Sequence, residues 1–244
     1  MLLATVMTIV LSASFKSVTE TQVTKLEEEN QKALAAAESA IEAALKENAT
    51  ATIGTGSLTA ISGFNGSATI ESLASNTFTT QNIDKDGSYT FYLGTYDVEA
   101  KTITGNSEAR AITVCFESAT TNPAIEVTLV KTSGVKKYVV DPDSQITNAD
   151  DGLPVSPNCP SGYSYSINIP GPDATGIGTD SKFMLVRVLF APTKLLFYRT
   201  TTLPVQGRTI SSSVTSSTSV GVSKKVVLFQ SYPQIPGEFF TTTF

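Results

Sequence analysis

The chain contains no histidine. That absence removes the commonest general base and the commonest transition-metal ligand together. Serine and threonine abound, yet without histidine no ordinary Ser-His-Asp arrangement can form. Carboxylate pairs such as Asp150 and Asp151 have no nucleophile or orienting group beside them, so the expected class is not an enzyme. Only two cysteines occur, Cys115 and Cys159, too few for a thiolate zinc site or an iron–sulfur cluster within one chain. In an exported protein the two would pair as a disulfide; two unpaired buried thiols are the alternative. Closing the loop of roughly 45 residues between them would stabilise the fold by about 4 kcal/mol in the chain-entropy model. A basic excess is lacking as well, because the net charge is −5 and the isoelectric point lies near 4.8. The basic residues are scattered, with pairs only at Lys136 and Lys137 and at Lys224 and Lys225. This argues against nucleic acid as a primary ligand.

Proline and glycine are missing from the start of the chain to Lys46. One continuous helix is therefore expected there, roughly 68 Å long at about 1.5 Å per residue. It opens on the apolar run MLLATVMTIVL, which falls short of the roughly 20 residues a helix needs to span a bilayer. A signal-peptide core and a partial membrane anchor are the two readings of that run. Further along, in KLEEENQKALAAAESAIEAAL (residues 25–45), Leu34, Ala37, Ile41 and Leu45 recur at spacings of three and four and share one helix face. Glu28 and Lys32 sit one turn apart on the charged side. The alanines between 33 and 44 add helix propensity and leave little bulk, so another backbone can come close. Glu27, Glu28 and Glu29 form a solvated face, or meet Lys16, Lys25 or Lys32 of a neighbouring helix.

At about residue 48 the composition turns to Thr, Ser and Gly with β-branched alternation. The expected fold class is α+β, with a long amino-terminal helix (1–47) followed by a β-rich, mainly antiparallel head (48–244). Strands are expected at 88–93, 98–104, 110–117, 124–131, 135–140, 163–169, 182–190, 194–199, 207–215 and 220–230. Segment 141–162, rich in acids and prolines, reads as a surface excursion tied down by Cys159. The sequence NIDKDG (82–87) places Asn82, Asp84 and Asp86 as in the first half of an EF-hand loop, so calcium is a weak candidate ligand. Position 12 of that loop is Leu93 rather than Glu, and a tight Asp-Gly turn into a strand explains the same residues. The acids Asp141, Asp143, Asp150 and Asp151 lack metal-ligand spacing, and no other cofactor is expected.

The order of an apolar helix, then SFKSVTETQVTKLEEENQKALAAAESAIEAAL, then a β-rich domain resembles type IV pilin-like proteins, in particular the PilX-like pilus assembly branch. The matching positions are 15–21 and 35–45. The carboxyl end, LPVQGRTISSSVTSSTSVGVSKKVVLFQSYPQIPGEFF, looks like the terminal hairpin and Pro-rich tail of such proteins. The family pattern of a basic leader, a long apolar stretch and Glu at the fifth mature position is not matched here, where the fifth residue is Thr5. The resemblance implies a structural subunit of an extracellular filament, anchored in the inner membrane before assembly and handled by the pilus assembly machinery. Its partners would be copies of itself, packed through Leu2, Leu3, Val6, Ile9, Val10, Leu11, Leu34, Ala37, Ile41 and Leu45. Burial of the six large residues of the apolar run would contribute on the order of 10 kcal/mol per subunit, offset by association entropy. A membrane-anchored, monomeric β-rich adhesin is the alternative.

Overall fold

The computed structural model describes residues 2–72, 74–106, 108–147, 149, 156–172, 176–217 and 221–237, with helix side chains from Phe15 onward. It is an α+β protein, one long helix followed by mainly antiparallel sheet. The helix α1 (Leu2–Glu47) runs unbroken. Its threonines are accommodated because the hydroxyls of Thr19, Thr21 and Thr24 donate back to the carbonyls of Phe15, Ser17 and Glu20, one turn earlier. At its end Asn48 takes a left-handed conformation with φ of 50°. The Ala49 amide then donates to the Ala44 carbonyl at 3.3 Å, the wide bond of a Schellman cap. The strands follow as β1 (Ala51–Thr52), β2 (Phe64–Glu71), β3 (Thr77–Thr79), β4 (Ser88–Tyr92), β5 (Tyr96–Asp97), β6 (Thr102–Ile103), β7 (Ile112–Phe116), β8 (Ala124–Lys131), β9 (Gly134–Val140), β10 (Tyr165–Ile169), β11 (Ser181–Leu189), β12 (Leu195–Tyr198), β13 (Gly207–Ser216) and β14 (Ser223–Ser231).

The chain divides into two compact units. The first, Met1–Ser72 with Arg208–Gln230, holds α1 and a sheet of order β1-β2-β13-β14. Strands β2 and β13 pair antiparallel with Ala68 opposite Ser212 and Ile70 opposite Ile210. From Ile210 to Ser216 the even-numbered residues of β13 are buried, the alternation of a sheet covered on one side. That side meets Ala36, Ala37, Ala40, Ile41, Ala43 and Ala44 of the helix. Alanine on the helix and Ala68 and Ser212 on the sheet leave little bulk between the two layers. Gly66 is required by an equally close approach, since a Cβ there would stand 2.1 Å from the Ser213 carbonyl oxygen.

The second unit, Leu73–Gly207 with Ser231–Phe244, contains two four-stranded sheets, β10-β7-β12-β3 and β4-β11-β8-β9, that share one core. Ile112, Val114, Phe116, Leu195 and Phe197 meet Phe91, Val127, Leu129, Met184 and Val186 there. Phe91 and Phe197 stack at 4.1 Å between ring centroids. Edge strand β4 is covered rather than left open. The Gln206 side-chain amide bonds both the amide and the carbonyl of Tyr92 at 2.8 Å, and Gln234 Oε1 accepts from the Thr90 amide at 2.7 Å. These contacts satisfy backbone groups that would otherwise template foreign strands.

Where the strand expected at 98–104 should lie, the chain makes a hairpin of β5 and β6 instead. The Asp97 carboxylate accepts from the amides of Glu99 and Ala100, an Asx turn that breaks the run. In 82–87, Gly87 donates to the Asp84 carbonyl at 2.9 Å and Asp86 takes φ of 64°, a tight turn leading into β4.

Candidate assembly surface

The described part of α1 has two regimes. From Ala33 to Ala44 one face is buried under the sheet of its own unit, whereas residues 15–28 are exposed all round. The exposed stretch nevertheless carries large apolar side chains, with Phe15 67% exposed, Val18 55% and Leu26 41%. At 3.6 residues per turn, Phe15, Val18 and Leu26 fall within the same arc of about 100° as Ala33, Ala36, Ala37, Ala40 and Ala44. Val23 and Leu34, both exposed, stand at the margin of that arc beside Ile41. Apolar side chains therefore recur on that arc for about 27 Å beyond the first buried alanine, at about 1.5 Å per residue, with Thr19, Gln22 and Glu29 between them. Among the described residues Phe15, Val18 and Leu26 are left exposed by the rest of the unit.

The charged side of the helix is organised locally. Lys32 Nζ donates to Glu28 Oε1 at 2.6 Å, which holds the Glu28 carboxyl below its usual value and the Lys32 ammonium above it. Both side chains are in solvent, so the pair adds little to stability. Glu29, where the helix approaches its sheet, accepts from Ser216 Oγ at 2.8 Å.

Of the residues expected to pack the helix, Ala37 and Ile41 are buried against the sheet, Leu45 is half-buried beside them, and Leu34 is exposed. Leu2, Leu3, Val6, Ile9, Val10 and Leu11 lie on α1, but their side chains fall outside the described residues. Asp150, Asp151 and the tail end 238–244 lie outside them entirely. Cys115 and Cys159 form a disulfide with Cα atoms 5.9 Å apart. Asp86 Oδ1 stands 3.5 Å from Arg187 Nη2, and Asp84 contributes its carbonyl to the turn. Among the described residues no three Cys, Asp or Glu side chains gather in a group that could hold a metal ion. Phe15, Val18 and Leu26 carry a helical spacing of three and eight in the sequence, but polar residues between them mask it there.

A second exposed apolar group, Val227, Leu228 and Phe229, sits on the sheet-edge strand β14 beside Lys224 and Lys225. Among the described residues no helix is long and apolar enough to cross a membrane. Comparison of the chain with protein-family models, with curated proteins and with solved structures finds no match.

Proposed function

We propose that this chain is a structural subunit of a type IV pilus-like extracellular filament, polymerising through α1. The observation that carries the reading is the set of exposed apolar side chains, Phe15, Val18 and Leu26, that extends the buried face of α1 beyond its own sheet. An amphipathic helix gains most of its stability from packing, so a face of this length calls for another surface. The same helix from a second copy supplies a surface of matching period, and the mainly apolar run from Leu2 to Leu11 extends it. Before assembly that run would rest in the membrane. The β-rich part of the chain then carries the surface of the filament.

The test is to substitute Val18→Glu and Leu26→Glu together in cells that produce the protein. Both positions are exposed in the isolated chain, so the subunit should fold and accumulate normally while filaments disappear from sheared preparations. Filaments at the usual yield would refute the reading and favour the anchored, monomeric binding module.

A further inference from the structure

Strand β14 ends the sheet β1-β2-β13-β14, and among the described residues no strand lies along its outer side. It carries Val227, Leu228 and Phe229, which are 56%, 42% and 47% exposed. Among the described residues this is the one place where three consecutive large apolar side chains stand in solvent. The strand holds no charge from Val226 to its end at Ser231. An uncharged, β-prone stretch on an open edge is a template for another strand.

The hairpin of β13 and β14 fixes which groups this edge offers. The Ser216 amide donates to the Val222 carbonyl at 2.8 Å, so Val222 turns its backbone toward β13. Farther along, Thr215 Oγ1 donates to Ser223 Oγ at 3.4 Å and Arg208 Nε donates to Gln230 Oε1 at 2.7 Å, which keeps one register from end to end. Backbone groups alternate in direction along an antiparallel strand. Residues 224, 226, 228 and 230 therefore also turn to β13, and the amides and carbonyls of Ser223, Lys225, Val227, Phe229 and Ser231 point to the open side. Val226 packs against the core under the helix, so Leu228 shares that face of the sheet, and Val227 and Phe229 lie on the other.

We propose that β14 pairs with β14 of a second copy, antiparallel about a two-fold axis at Val227. This is the antiparallel register that pairs all nine residues of the strand, and in it the five outward-pointing positions meet only one another, as hydrogen-bonded pairs. Charge selects the same arrangement. Lys225 falls opposite Phe229 of the second copy, where an ammonium can meet a ring, and Lys224 falls opposite Gln230. The like lysines of the two copies then stand at least about 14 Å apart along the strands, beyond the Debye length of about 8 Å at physiological ionic strength. A parallel, in-register pairing would instead set Lys224 on Lys224 and Lys225 on Lys225 at about 4.8 Å. The antiparallel product is one continuous eight-stranded sheet with a helix from each copy on the same face. This contact is independent of polymerisation through α1.

The experiment is oxidative cross-linking of the full chain in mild detergent with one cysteine added at a time, Cys115 and Cys159 being already bonded to each other. Hydrogen-bonded antiparallel partners have Cα atoms about 5.5 Å apart, within reach of a disulfide. Val227→Cys should link to itself, and Lys225→Cys should link to Phe229→Cys when the two are mixed. Each reaction should run about 10-fold or more faster than Lys225→Cys or Phe229→Cys alone. The pattern should persist when Val18→Glu and Leu26→Glu are added, which separates it from association through the helix. Sedimentation should show a concentration-dependent dimer. Val227→Pro should abolish that dimer in a folded chain, because the proline removes an amide that faces away from β13. Leu228→Lys keeps every backbone group and sets a charge near the two-fold axis, so it should weaken the dimer by about 10-fold. The proposal is overturned if all the cysteine reactions run at one rate, if the chain sediments as a monomer throughout, if the pattern vanishes with Val18→Glu and Leu26→Glu, or if Val227→Pro and Leu228→Lys both dimerise as the wild type does.

Discussion

Replacing Cys115 and Cys159 together by Ala should weaken the second unit by about 4 kcal/mol, the loop-closure entropy for a sequence separation of 44. The figure is an upper bound where the unfolded chain keeps residual structure. Cys115 is fully buried between Ser166 and Leu196 on the neighbouring strands, so truncating its sulfur also leaves a small void. At a urea dependence of about 2 kcal/mol per molar, the midpoint should fall by about 2 M. The assay has two natural probes. All eight tyrosines fall in residues assigned to the second unit, and the helix belongs to the first. Tyrosine fluorescence therefore reports the disulfide-bonded unit, and the far-UV helix signal recorded in parallel identifies which transition the disulfide governs. An unchanged tyrosine midpoint would refute the reasoning, as would an equal midpoint for the wild-type chain with and without reductant.

Other substitutions probe the remaining structure. Ala40→Leu places extra bulk where the helix meets its sheet with no space to spare, and denaturation followed by the helix signal should show a loss of about 1–3 kcal/mol. Gly66→Ala should be more damaging to the same unit, since its Cβ collides with the Ser213 carbonyl, and reduced protease resistance of residues 1–72 would reveal it. Among the described residues the buried Tyr89 hydroxyl has no hydrogen-bond partner, and burial raises its pKa above the usual phenol value. Its contribution is present below about pH 10 and is lost as pH climbs toward the folded-state pKa, because the unfolded chain then ionises first. Phenolate absorbance should show Tyr89 lagging the exposed tyrosines. Tyr89→Phe should leave stability equal or higher by up to about 1 kcal/mol in urea.

The long helix was legible because nothing interrupts it. A run free of Pro and Gly and dense in Ala has few competing conformations, and its end at Asn48 coincides with the change to Thr and Gly. Which face packs was less legible. The spacing of three and four groups Leu34 with Ala37 and Ile41, whereas the sheet buries the small Ala33, Ala36 and Ala40 and leaves Leu34 in solvent. Strands β7, β8, β11, β12, β13 and β14 announce themselves by alternation or by continuous apolar runs. β2 does not, because Asn65, Gly66 and Ser67 are weak strand formers that belong there only through close pairing with β13. That pairing joins residues about 140 positions apart and sets one unit inside the other in sequence; local pattern carries no trace of it.

The most direct measurement is intact-mass and peptide mass spectrometry of filaments sheared from cells that make the protein. The account predicts this chain as a stoichiometric filament component, with peptides of residues 15–28 protected from labelling in the filament and exposed in the dissociated subunit. Recovery of the chain only from detergent-extracted membranes, with 15–28 labelled throughout, would contradict it.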